Sequence, residues 1–150
     1  MTEYVIREAT AVDLPAVLSL YSQPEIDDGN VLDLETAEAI LLRMRSYPSY
    51  RLFVAYSGDR IVGTYTLVIL DNLAHKGARS ALVEAVVVLA ERHWQGIGKA
   101  MMNHAMALCR ESKCYKLALS SNLTREPAHK FYEGLGFKQH GFSFLVDLGE

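Results

Sequence analysis

The passage from Leu82 to Lys99 constrains this chain more than any other. Leu82 to Leu89 is an almost continuous apolar run that suits a central strand covered on both faces, and Gln95-Gly96-Ile97-Gly98-Lys99 then opens a helical pattern. A strand entering a glycine turn at the head of a helix makes an anion cradle. The first helical amides have no internal partner, the helix dipole favours negative charge there, and glycine lets a ligand approach the backbone. A plain strand-to-helix turn is the alternative. Two common nucleotide motifs are excluded. A P-loop requires glycine five positions before its Gly-Lys and a hydroxyl after it, where His93 and Ala100 stand, and a dinucleotide fingerprint requires glycine at Met101.

The flanking sequence supplies the rest of an α/β domain. Tyr4-Val5-Ile6-Arg7 reads as an opening strand, and Thr10 to Asp13 as a capping box starting a helix that turns Leu14, Val17, Leu18 and Tyr21 inward. The polar stretch from Gln23 to Asn30, with its proline and glycine, is a loop, and Asp33 caps a second helix that Pro48 closes. Leu52–Tyr56 and Ile61–Ile69 are β-branched and aromatic, and Ser57-Gly58-Asp59-Arg60 joins them as a hairpin. A polar connector from Asp71 to Ser80 precedes the apolar strand. Tyr115–Leu119 predicts a strand, Glu126 to about Leu135 a helix, and two closing strands lie around Phe137 and Phe144–Val146. The expected fold is a three-layer α/β domain with a mixed, mainly antiparallel sheet in the order β-α-α-β-β-β-α-β-α-β-β.

The 150 residues fit one domain, 1–150, and half of them are hydrophobic, so packing alone can hold a core. A net charge of −3 and a pI near 5.9 give no global attraction to nucleic acid. The longest uncharged apolar run, Ala85 to Ala90, is far short of the roughly 20 residues of a membrane helix, and the first residues lack a signal-peptide pattern. Cys109 and Cys114 are expected to be free thiols in a reducing cytoplasm.

His93-Trp94-Gln95-Gly96-Ile97-Gly98 after the apolar strand, and Ala128-His129-Lys130-Phe131-Tyr132-Glu133-Gly134-Leu135-Gly136-Phe137 some 30 residues on, resemble the GNAT superfamily of acetyl-CoA-dependent N-acyltransferases over nearly the whole chain. One departure is His93, where that family usually has Arg or Gln. The resemblance implies acetyl-CoA as co-substrate, with its pyrophosphate on His93, Gln95, Gly96, Ile97, Gly98 and Lys99. It also implies pantetheine pairing with the backbone at Val86 to Val88, residues that composition alone, Val87 included, assigns to the core. Asn122 is either a cofactor contact or a turn cap.

Amine acetylation needs a neutral nucleophile, whereas an alkylamine with a pKa near ~10 is protonated at neutral pH, a mismatch of about 4 kcal/mol. Glu84 interrupts the apolar strand and is the candidate base or water holder; desolvation there raises a carboxyl pKa toward the useful range. A solvent-facing or structural glutamate is the alternative. By resemblance Tyr132 is the acid that meets the leaving thiolate, with core packing as its alternative. The acidic loop of Asp27, Asp28 and Asp33 and the basic group of His75, Lys76 and Arg125 are expected to bracket a small acceptor carrying a primary amine. The stretch from Asn122 to His129 looks similar to acetyltransferases acting on aminoalkylphosphonates, and the surroundings of Glu84 to those acting on glucosamine phosphate. The five histidines lack metal-ligand spacing, and Met101, Met102 and Met106 read as core filler rather than a cofactor box. No Cys or Ser stands in a nucleophile-and-base arrangement, which favours direct transfer in a ternary complex. A protein or peptide amine acetyltransferase and a non-catalytic acyl-CoA sensor are the competing readings. Small members of the family are often dimers, so a homodimer is compatible with the resemblance.

Overall fold

The structure is a computed structural model and describes residues 3–149. Contacts divide the chain into two compact units, one running to Ala118 and the other starting at Leu119.

The first unit is built on a five-stranded sheet in the order β1-β2-β3-β4-β5. Its strands are β1 (Val5–Glu8), β2 (Tyr50–Ser57), β3 (Arg60–Leu70), β4 (Arg79–Val88) and β5 (Cys114–Ala118). Neighbours are antiparallel from β1 to β4, whereas β5 runs parallel to β4. The parallel pair needs a crossover, which α3 (Ile97–Glu111) supplies. The β2–β3 hairpin forms as its turn residues require, with Gly58 at φ +64°.

Side-chain alternation divides the sheet between two helical layers. A Cβ on Gly63 would stand 2.9 Å from Ile97 Cγ2 and 3.1 Å from Met101 Cε, so α3 packs directly on the β3 backbone at that point. Tyr65, two residues on, meets His104 of α3 through its hydroxyl at 2.6 Å. The opposite face carries α1 (Leu14–Tyr21) and α2 (Leu34–Ser46), whose Leu14, Val17, Ala37 and Leu41 form one core cluster with Leu52 and Val54 of β2. Each fully buried leucine contributes roughly 1.5–3 kcal/mol. Asp33 caps α2 by accepting from the Thr36 amide at 2.8 Å, and the Thr10 amide donates to Asp13 Oδ2 at 2.8 Å. No helix among the described residues is long and apolar enough to cross a membrane.

The second unit holds α4 (Glu126–Gly134), which opens at the expected Glu126 with Pro127 in its first turn.

Two expectations are corrected. The apolar run forms β4, an interior strand between β3 and β5, but it starts at Arg79 and is not buried throughout: Leu82 and Glu84 are exposed. The two closing strands are not formed; residues 137–149 carry no helix or strand. A strand exists only as one side of a ladder, and Phe142, Phe144 and Leu145 are about nine-tenths exposed, so neither pairing nor burial supports one here.

Candidate functional site

The site begins at a bulge in β4. Thr66 of β3 stands opposite Glu84, and Thr64 stands opposite Val87. Two β4 residues, Ala85 and Val86, therefore face the single β3 residue Tyr65, and Ala85 takes a left-handed φ of +48° to make the extra step. The extra residue inverts the alternation, so Glu84 and Val87 point to the same face, that of α1 and α2. Val87 is buried there, as its apolar side chain requires, while Glu84 remains exposed rather than desolvated by the strand.

The other edge of β4 opens at the same level. Its ladder with β5 ends at Leu82 opposite Ala118, where β5 stops. Among the described residues no strand pairs with this β4 edge beyond that point, through Val86, which leaves backbone groups for an extended ligand. The Val88 carbonyl is already engaged, accepting from Gln23 Nε2 and His93 Nε2, each at 3.1 Å. Because a carbonyl only accepts, His93 carries its proton on Nε2. Its ring braces the strand end.

The glycine turn is fastened from outside. The Tyr4 hydroxyl donates to the Gln95 carbonyl at 2.7 Å, and Arg60 pairs with Glu91 at 2.9 Å. Gly96 sits at φ +86° with no heavy atom within 4 Å of a Cβ built there, so the turn is left-handed and open. The Ile97 side chain is buried as a core anchor, leaving only its amide for binding, whereas Gln95, Gly96 and Lys99 are exposed. Free amides at the start of α3, the exposed Lys99 and the open β4 edge fit a long anionic thioester such as acetyl-CoA.

On the α1–α2 face, a cavity of about 270 Å³ lies between these helices and the sheet. Its polar wall consists of Tyr21, Asp27, Tyr50, Thr66 and Glu84, so two of the residues expected from the sequence, Asp27 and Glu84, share one cavity. Burial pushes the Tyr21 phenol up, partly opposed by the Thr66 and Thr64 hydroxyls. Asp28 and Asp33 do not line the cavity. Asp28 lies in the loop at φ +46°, and the Asp33 carboxylate is held below the usual range by the Thr36 hydroxyl and amide at the helix cap. His75 and Lys76 occupy a tight turn, and the His75 ring packs 4.7 Å from Tyr115. Sequence reading missed Gln23, Tyr50 and Thr66. Period-2 alternation along β2 and β3 carries the signal for the latter two, once their pairing register is known.

In the second unit, Asn122 caps a turn: its Oδ1 accepts from the Thr124 amide at 3.0 Å, and its carbonyl accepts from His129 Nε2 at 2.7 Å. Arg125 is exposed at the head of α4. The half-buried Tyr132 ring stands edge-on to Phe131 and Phe137, 5.2 and 5.7 Å away. Burial pushes its phenol pKa up against the opposing charge of Arg125, so the hydroxyl keeps its proton at neutral pH.

Residues 14–137 match the acetyltransferase (GNAT) family. The chain is 31% identical over 115 residues to a glucosamine 6-phosphate N-acetyltransferase of Trypanosoma brucei brucei, covering 77% of this chain and 76% of that protein. It is 27% identical over 143 residues to an aminoalkylphosphonate N-acetyltransferase of Salmonella typhimurium, covering 95% and 90%. A solved Trypanosoma brucei acetyltransferase superposes with a TM-score of 0.83 at 28% identity, covering 97% of this chain and all of that one.

Proposed function

Because the chain belongs to the GNAT acetyltransferase family, we propose that it transfers the acetyl group of acetyl-CoA directly to the primary amine of a small molecule. The observation that carries this reading is Glu84: it lines a cavity on one face of β4 immediately before a bulge, and the ladder of the same strand with β5 ends two residues earlier, at Leu82. Acetyl-CoA supplies the activated acyl group. In this reading the amides of Ile97, Gly98 and Lys99 hold its pyrophosphate, and the β4 backbone near Val86 aligns the pantetheine arm. Val87 serves as core behind that edge.

Glu84 takes the ammonium proton, directly or through a water, and so lowers the cost of presenting a free amine, about 4 kcal/mol at neutral pH. Tyr132 Oη, protonated at neutral pH, is the proposed donor to the departing sulfur. His75, Arg125 and Asp28 are proposed as outer contacts of the acceptor, and Asn122 as a turn that shapes the cofactor side. The match from 14 to 137 crosses the division at Ala118, which supports one catalytic domain spanning 1–150. The free thiols of Cys109 and Cys114 suit a cytoplasmic enzyme.

The test is release of free CoA from acetyl-CoA in the presence of an amine panel that includes glucosamine 6-phosphate and 2-aminoethylphosphonate, the kinds of substrate the two relatives are named for. Saturable release with a small amine supports the reading. Acetyl-CoA binding without turnover across the panel, or turnover of protein lysines alone, would refute it.

A further inference from the structure

The cavity beside Glu84 has a charge inventory that selects among amines. Its ionisable groups are the carboxylates of Asp27 and Glu84 and the phenols of Tyr21 and Tyr50, and among the described residues no Lys, Arg or His side chain lines it. Thr66 adds a neutral hydroxyl, and the rest of the wall is apolar, with Leu18, Ile26, Leu32, Ile40, Leu41 and Met44 among its side chains. At about 270 Å³ it lies just below the roughly 300–1,000 Å³ of typical small-molecule sites. From this we infer that the acceptor lodged here is a compact primary amine with an apolar body, an arylalkylamine or short alkylamine, and not a phosphorylated or phosphonylated amine. The inference rests on the acetyl-transfer reading above and narrows its substrate class.

The physical argument is one of complementarity. A protonated amine entering the cavity meets two carboxylates that attract it, and its hydrocarbon body displaces water from the α1 and α2 side chains. A phosphate or phosphonate inside the cavity would lose its hydration and face two like charges with no cation in the cavity wall, His75 and Arg125 being proposed only as outer contacts beyond it. Pairing with Thr66 sets the face of the reacting carboxylate, and the bulge follows directly after it: Ala85, at φ +48°, also lines the cavity, and the extra step turns Val87 to the same face, where it is buried. In the reaction the N–C bond forms as the C–S bond breaks. The ammonium gives up two protons, one ending on the CoA thiol and the other leaving to solvent through Glu84.

Specificity constants are measured by CoA release for 2-phenylethylamine, hexylamine, glucosamine 6-phosphate and 2-aminoethylphosphonate. Binding of 2-phenylethylamine is measured separately by calorimetry. The expected result is a kcat/KM for the apolar amines at least about 100-fold above that for either phosphorus-bearing amine. Leu32→Lys adds a cation at a cavity position 47% exposed, where a lysine can be carried without loss of the fold. It should weaken 2-phenylethylamine about 10-fold or more and leave acetyl-CoA affinity unchanged. Preference of the unaltered protein for a phosphorus-bearing amine overturns the inference while upholding acetyl transfer. If no amine is turned over but 2-phenylethylamine binds and Leu32→Lys abolishes it, the cavity assignment stands and the catalytic reading falls. Absence of 2-phenylethylamine binding overturns the inference whatever the turnover.

Discussion

Gln23 and Val88, 65 positions apart in the chain, are joined by a hydrogen bond from the glutamine Nε2 to the valine carbonyl at 3.1 Å. The same side chain accepts from the Ala90 amide at 2.8 Å, so one carboxamide ties the loop carrying Asp27 to the end of β4. Gln23→Ala removes both bonds, which together contribute on the order of 1–2 kcal/mol. The expected outcome is a melting temperature lowered by a few degrees and a KM for acetyl-CoA raised about 3- to 10-fold, read by thermal unfolding and initial rates. Unchanged kinetics in a destabilised variant would confine Gln23 to a structural role.

Glu84→Gln keeps size and polarity while removing the base. Turnover should fall most at neutral pH and least above about pH 9, where free amine is already abundant. Because Glu84 is exposed, the melting temperature should stay within a degree or two of the parent. The check is the pH profile of kcat; equal loss at every pH, with lowered stability, would mark the residue as structural.

Tyr132→Phe deletes only the hydroxyl and leaves the ring against Phe131 and Phe137. Turnover should drop on the order of 10²–10³-fold with little change in stability. Burial raises the phenol pKa, so the group is a proton donor throughout the neutral range and the defect should be flat between pH 6 and about pH 9. Parallel kinetics and thermal melts decide it, and wild-type turnover returns Tyr132 to core packing.

Gly98→Asp places a side chain and a negative charge in the first turn of α3, where free amides would face the pyrophosphate. Calorimetry should show acetyl-CoA affinity reduced at least 10-fold, with a much smaller effect on the amine. Unchanged affinity in a folded variant would move the pyrophosphate elsewhere.

Asp13 gives a pH signature of folding. Burial pushes its carboxyl up, but the Arg7 fork, the Tyr56 hydroxyl and the Thr10 amide outweigh that and bring its pKa down to about 2, against 3.8 unperturbed. A folded pKa below the unfolded one contributes stability that is fully present above about pH 4 and lost as pH falls toward about 2. The loss should be about 2 kcal/mol across that window. Denaturant unfolding at pH 5 and pH 2.5 measures it, and Asp13→Asn should abolish this share of the acid sensitivity.

Local chemistry was enough to write much of this molecule in advance. The hairpin, the capped helices and the strand–glycine turn–helix passage form where hydrophobic period, cap residues and turn residues put them, because each depends on contacts within a few positions. The pairing of the Phe131-Tyr132 segment with the glycine turn as a family signature was equally legible. Three features were decided only by distant partners. The β4 bulge follows from register against β3, since nothing in Glu84-Ala85-Val86 itself says that Tyr65 will face two residues, and that one extra residue gives Glu84 and Val87 a common face. The cavity follows from α1 and α2 packing over that face, which unites Asp27 with Glu84 and leaves Asp28 and Asp33 outside. The closing segment has a strand's composition and no strand, because β structure is held by ladder bonds to a neighbour, and composition alone cannot supply the neighbour.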